Sequence, residues 1–169
     1  MNSESTLLSF GIPRENEERR DGGCAVIYDP NTEKYAVGQD RYGNQIYRLY
    51  GGGFEENEDE MTGILREVTE ESGLYDFDHI EKVDTVECHY SNAHKKVNRC
   101  AVATCILIIL KSRSLVPVQL EAHEDFDLVW QSPEELLRKW KENNEEKNFD
   151  HWIYFLNKAV ARVSELGYK

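Results

Sequence analysis

The sequence predicts an α/β fold, an α/β/α sandwich in which a mixed β-sheet carries helices on both faces. Strand-length runs of β-branched and apolar residues at Cys24-Ala-Val-Ile-Tyr28 and from Val97 to Leu110 supply the sheet. Met61, Ile64, Leu65 and Val68 fall at i, i+3, i+4 and i+7, one apolar stripe of a helix. The order is strands, a helix, strands, then two helices. Strands that follow one another at hairpin spacing exclude a purely parallel sheet, which needs a crossover helix between successive strands.

In chain order, residues 1–22 are polar and read as a loose arm or an edge strand. The first strand stops at Asp29-Pro-Asn31, a turn signal, and Lys34-Tyr-Ala-Val37 returns as its hairpin partner. Tyr42-Gly-Asn44 makes a second turn, and Ile46-Tyr-Arg-Leu-Tyr50 runs as a strand into three glycines. Asn57 or Asp59 caps the helix that follows, with Asn57 and Glu60 spaced as a capping box; Gly73 ends it. A strand from Ile80 to Tyr90, a loop marked by Ser91-Asn92 and Lys95-Lys96, and the strand from Val97 come next. After an irregular stretch over 111–122, Asp127-Leu-Val-Trp130 is a short strand. Ser132-Pro133 then opens a helix, with Glu135 placed to close its capping box. The last helix runs from about His151 to Leu166, before Gly167.

The length of 169 residues suits one domain, 1–169, with 1–22 as its arm. At 40% hydrophobic and 11% aromatic residues, the chain is too apolar to be disordered. No apolar run reaches a membrane span, and the N-terminus lacks the basic region and apolar core of a signal peptide, so a cytoplasmic protein is expected. The formal net charge of −12 argues against nucleic acid as a general partner and against anionic membranes. The four cysteines form no Cys-x-x-Cys pair and read as buried thiols, and no His/Cys spacing suggests a zinc site.

Negative charge is concentrated behind the glycines. Between Glu55 and Glu71 stand eight acids and one base, Arg66. At about 100° per residue, Glu60, Glu67 and Glu71 share one face of the helix beside the apolar stripe, with Glu70 at its edge. Their carboxylates converge, and Gly63 on the same face reads as open space next to them. A carboxylate-only cluster suits a hard, oxygen-seeking cation, Mg²⁺ or Mn²⁺, rather than zinc. The metal also answers how so acidic a protein holds a phosphate.

The spacing is specific. From Gly52 the pattern runs five residues to Glu58, seven more to Arg66, and then Arg66-Glu-Val-Thr-Glu-Glu-Ser-Gly-Leu74 without a break. This resembles the signature box of the Nudix hydrolase family, with every fixed position filled. The resemblance implies a Nudix-type α/β/α sandwich and Mg²⁺-dependent hydrolysis of a pyrophosphate bond in a nucleoside diphosphate-linked small molecule. It implies Glu67, Glu70 and Glu71 as metal ligands, and Glu58 with Arg66 as the box's remaining charged pair. The base is Glu67 or a downstream carboxylate; in Leu120-Glu-Ala-His-Glu124, Glu124 is preferred over Glu121, with His123 a bystander. Tyr50 stands where the family often has proline, and Asn57 where glycine is frequent.

Selectivity lies outside the box. Arg41 and Arg48 flank the strand that enters the glycines Gly52 and Gly53, and either suits a phosphate, Arg48 the better. Tyr90, sixteen residues past Leu74, resembles the tyrosine of the diadenosine-polyphosphate subgroup. Tyr42 and Tyr47 are further aromatics of a kind that stacks on a base or packs in a core. Lys95 and Lys96 are placed to meet phosphate at a loop rim or to stay solvated. The alternative function is a nucleotide sensor of the same fold without hydrolysis, and the oligomeric state expected is monomer or homodimer.

Overall fold

The structure is a computed structural model that describes residues 7–92 and 96–168. Lys95, His94 and the first six residues of the expected arm lie outside the described residues. The elements are β1 (Ser9–Phe10), β2 (Glu18–Arg19), β3 (Gly22–Asp29), β4 (Lys34–Asp40), β5 (Tyr47–Arg48), β6 (Tyr50–Gly53), α1 (Glu60–Ser72), β7 (Phe77–Asn92), β8 (Val97–Leu110), β9 (Phe126–Gln131), α2 (Pro133–Glu142), a short 3₁₀ turn (Glu145–Lys147) and α3 (Asp150–Glu165).

The sheet is mixed, as expected, with strand order β1-β7-β8-β3-β4-β5. Antiparallel β7 and β8 form its long hairpin, β3 lies parallel to β8, and β4 returns antiparallel to β3. The period of two sorts each central strand between two cores. Cys24, Val26 and Tyr28 of β3, with Cys105, Leu107 and Ile109 of β8, face α2 and α3. Ala25 and Ile27, with Ile106 and Ile108, face α1. Trp140, Phe155 and Leu156 cover the first face, and Ile64 and Val68 cover the second; all are within 1% of full burial. Helices therefore lie on both faces. No helix among the described residues is long and apolar enough to cross a membrane.

Several expectations are refined. Residues 9–19 are strapped to the sheet, with β1 parallel to β7 and β2 parallel to β8. The strand expected over Ile46 to Tyr50 divides in two, because β5 pairs with β4 while β6 crosses to β3. Asp59 caps α1, accepting from the Thr62 N–H at 3.1 Å, and Asn57 takes a left-handed φ of 59° instead of forming a capping box. Ser132 caps α2 by accepting from Glu135 N–H. Glu135 does not close that box: its carboxylate accepts from Arg138 and from the Tyr47 hydroxyl.

Candidate active site

Strand β6 brings the three glycines against the start of β3, Gly51 opposite Cys24 and Gly52 opposite Gly23. A Cβ on Gly51 would lie 2.1 Å from the Gly23 carbonyl oxygen, so only glycine allows this approach. The Gly51 N–H then donates to Glu71 Oε1 at 3.1 Å, tying the strand to the last turn of α1. Gly73 ends that turn with φ 83° and an N–H bond to the Thr69 carbonyl.

Arg66 organises the acids around it. Its Nε and Nη2 donate to both oxygens of Glu58 at 2.8 and 3.0 Å, and Nη1 donates to Glu67 at 3.0 Å and Glu70 at 3.2 Å. This guanidinium holds the Glu58 carboxyl down at about 2. Glu58 also accepts from Glu55 N–H, so the pair pins the loop before α1 onto the helix. Gly63 has a different use from the one expected. A Cβ there would meet Glu58 Oε1 at 2.7 Å and Phe54 Cδ1 at 2.9 Å, so the glycine seats that loop and leaves no open space beside the carboxylates.

Glu67, Glu70, Glu71 and Glu124 all line one cleft of about 900 Å³. Glu71 is buried, with 9% exposure. Burial, then its hydrogen bond with Glu124, pushes its carboxyl up to about 10. Burial is the largest influence on Glu124 and acts to raise it, but the hydrogen bonds from Glu71 and the Glu121 N–H, with the nearby His123 and Arg48, together hold it below the ordinary value. Glu71 therefore keeps the proton and donates it to an ionised Glu124. Burial raises Glu67, with Arg66 opposing. Glu124 Oε1 accepts from Glu121 N–H at 2.9 Å, which fixes its loop. Four carboxylates line this cleft, Glu71 and Glu124 near enough to hydrogen-bond, while no three of them bring an oxygen each within 4.8 Å of one another. An all-oxygen donor set suits a hard divalent cation.

The residues expected to select substrate separate. Arg48 lines the cleft, oriented by a two-pronged pair with Asp40 at 2.5 and 3.2 Å. Arg41 does not line it: Asp125 and Asp127 take its guanidinium at 2.7 and 3.0 Å. Gly52, Gly53 and Tyr90 line the cleft, and Glu121 and His123 stand at its wall beside Glu124. Tyr47 is buried in the α2 and α3 core, and Tyr42 is 74% exposed, so neither reaches the cleft. Lys96 is exposed and does not line it. Tyr50 does, yet its ring is buried against Phe126, and its hydroxyl has no hydrogen-bond partner among the described residues.

Sequence reasoning missed the rest of the wall. Arg99 stands opposite Tyr90 in the β7–β8 register, and His151 from α3 stacks on Tyr90 at 6.3 Å. Phe149 and Trp152 complete this aromatic stretch. Arg99 had a signal, the two-residue alternation of β8. His151 had none, because α3 reaches Tyr90 only through the fold.

A glycine strand feeding an acid-faced helix, set in a sheet sandwiched between helices, defines an α/β/α protein with a carboxylate-lined cleft. The NUDIX domain model matches residues 18–153, and the chain belongs to this family. It is 29% identical over 124 residues to Nudix hydrolase 7 of Arabidopsis thaliana, a match that covers 70% of this chain and 38% of that protein. The chain thus spans well under half the length of this curated relative. Among solved structures, it resembles the NUDIX domain of Shewanella oneidensis NrtR complexed with ADP ribose (TM-score 0.63, 18% identity, covering 90% of this chain and 93% of that one). It also resembles a C. elegans Ap4A hydrolase (TM-score 0.60, 16% identity, covering 86% and 98%). At these identities the two structures speak for the fold alone.

Proposed function

We propose that this protein hydrolyses a pyrophosphate bond in a nucleoside diphosphate-linked small molecule, with Mg²⁺ or Mn²⁺ as its cofactor. The observation that carries this reading is that Glu67, Glu70, Glu71 and Glu124 line one cleft, with Glu71 hydrogen-bonded to Glu124. Glu67, Glu70 and Glu71 would hold the metal, which when bound neutralises charge developing at phosphorus and acidifies a water. The chain's own residues supply the remainder. Arg66, anchored on Glu58, steers Glu67 and Glu70. The Gly51 N–H steers Glu71. Glu124, ionised and fixed by its loop, takes the proton of the attacking water.

Substrate is held along the same cleft. Arg48, already oriented by Asp40, faces phosphate, while Gly52 and Gly53 let the chain of phosphates approach the backbone. Tyr90 and His151 offer a stacked aromatic surface for the base. Along β8, Arg99 lies four residues from Ala103, the partner of Gly22, so aromatic wall and glycines are offset by about 14 Å along the strands and, three strand spacings apart, by about 14 Å across the sheet. That span accommodates a nucleoside and its first phosphates. Dinucleoside polyphosphates, ADP-ribose-like molecules and nucleotide sugars all meet it.

The test is a panel of dinucleoside polyphosphates, nucleotide sugars and nucleoside triphosphates with Mg²⁺, assayed for released phosphate and nucleotide. Turnover of at least one member, lost in Glu70→Gln and Glu71→Gln with the fold intact, is expected. Tight binding of one member with no turnover of any would replace hydrolysis by sensing.

A further inference from the structure

A second cluster of metal-ligating side chains lies outside the cleft. Residues 9–19 cross the β7–β8 hairpin as a strap. Gly11, at φ 82°, packs so closely on the His89 backbone that a Cβ would come 2.0 Å from the His89 carbonyl oxygen. This brings Glu17 to His89, and the hairpin register sets Cys100 directly opposite His89. A carboxylate oxygen of Glu17, a ring nitrogen of His89 and Sγ of Cys100 all lie within 4.8 Å of one another. His89 is buried, at 7% exposure.

The surroundings of the ring match a ligating histidine. Glu17 Oε2 stands 2.7 Å from Nδ1, and Glu87 Oε1 stands 3.1 Å from Nε2. When one ring nitrogen binds an ion, the other keeps a carboxylate acceptor, the arrangement that fixes tautomer and ring orientation in metal sites. Glu87 also lies 3.9 Å from the Cys100 sulfur. A reactive-thiol role is disfavoured. Burial, then Glu87 and Glu17, raise the Cys100 thiol above its ordinary value. A divalent cation reverses that bias, because it binds the thiolate and draws off the proton.

We infer that Glu17, His89 and Cys100 form a second metal site, selective for a borderline-soft divalent ion of the Zn²⁺ class and distinct from the all-carboxylate cluster. One nitrogen, one sulfur and one oxygen donor suit such an ion and suit Mg²⁺ poorly. Three protein ligands leave one tetrahedral position for water. The ion joins the strap to the hairpin. Because Arg20 and Gly22 follow the strap into the cleft wall, it also fixes that wall.

Titration of the full-length protein with Co²⁺ tests this site through thiolate-to-cobalt absorption, which oxygen ligands cannot give. One Co²⁺ per chain is expected to produce that absorption. One equivalent of Zn²⁺ abolishes it, whereas excess Mg²⁺ or Glu71→Gln leaves it unchanged. Cys100→Ser removes the absorption, and Zn²⁺ raises the Tm of the wild type more than that of Cys100→Ser. Glu17→Gln, on the strap, weakens Co²⁺ binding at least tenfold and serves if Cys100→Ser does not fold. Absence of thiolate absorption in the wild type, its survival in Cys100→Ser, or unchanged affinity in Glu17→Gln would overturn the site. Since Glu71→Gln separates the two clusters, failure here leaves the hydrolytic reading standing, and the reverse holds too.

Discussion

Gly52 and Glu67 are in contact: a Cβ on Gly52 would lie 3.0 Å from the Glu67 carboxyl carbon and 3.2 and 3.3 Å from its oxygens. The Arg66 bond on the other side limits how far Glu67 can retreat. Gly52→Ala is therefore expected to displace the Glu67 carboxylate by a few tenths of an ångström or more. Turnover should drop on the order of 100-fold, since reacting groups tolerate little misplacement. Stability should change by no more than about 1 kcal/mol, because nothing in the core is removed. Steady-state kinetics alongside thermal denaturation checks both, and equal turnover in the variant would separate Glu67 from the chemistry.

The Glu71 carboxyl gives the metal-free protein a pH signature. Its folded-state pKa of about 10 lies above the ordinary 4.5, so the fold binds this proton more tightly than the unfolded chain does. The associated stability is complete below about 4.5 and is lost as pH rises toward 10. Metal-free protein is expected to lose Tm across that window, and Glu71→Gln should flatten the slope. Mg²⁺ should release about one proton on binding at neutral pH, measurable by calorimetry in buffers of different ionisation enthalpy.

Replacing the proposed base should separate Glu124 from its neighbours. Glu124→Gln is expected to lower kcat about 10²- to 10⁴-fold at unchanged fold, the range of a general base. Glu121→Gln should stay within a few-fold of wild type, because Glu121 contributes its backbone N–H to Glu124 and that N–H survives the change. The reverse ranking would move the base to Glu121.

Tyr90 should act on binding rather than on chemistry. Tyr90→Ala removes the surface that His151 stacks on. KM for a nucleotide substrate is expected to rise roughly 5- to 150-fold, the value of about 1–3 kcal/mol for one stacked base, with kcat changed far less. Tyr90→Phe keeps the ring and should keep the KM. A parallel fall in kcat would place Tyr90 nearer the reacting atoms.

On the opposite face from α1, Trp140 is fully buried and donates its indole N–H to the Tyr47 carbonyl at 2.9 Å. Trp140→Ala should cost about 3–5 kcal/mol through lost burial and a cavity. A fall in Tm on the order of 10 °C follows for a chain of this size. Chemical denaturation should show the same loss with an unchanged m-value.

Helix α1 shows what was legible beforehand. Its stripe, its stop at Gly73 and the register of Glu67, Glu70 and Glu71 follow from helical periodicity, which is local. Val97–Leu110 matched its predicted bounds for the same reason: an apolar run that long between polar turns has few alternatives. Gly63 was misread because its neighbours, Phe54 and Glu58, reach it through the loop before the helix. Arg41 was expected to suit a phosphate, and only the placement of Asp125 and Asp127 beside it shows that its guanidinium pairs with protein acids instead.

Local spacing along one chain thus established the family, the mixed sheet and the acid-faced helix, because periodicity and capping act within a few residues. The partners that turn those acids into a site come from elsewhere: Glu124 from the loop before β9, Tyr90 and Arg99 from the long hairpin, His151 from α3. The second cluster joins residues 17, 89 and 100, whose separation carries no motif. Strand pairing across the sheet brings such groups together, and it also sets the burial that decides which of Glu71 and Glu124 keeps the proton.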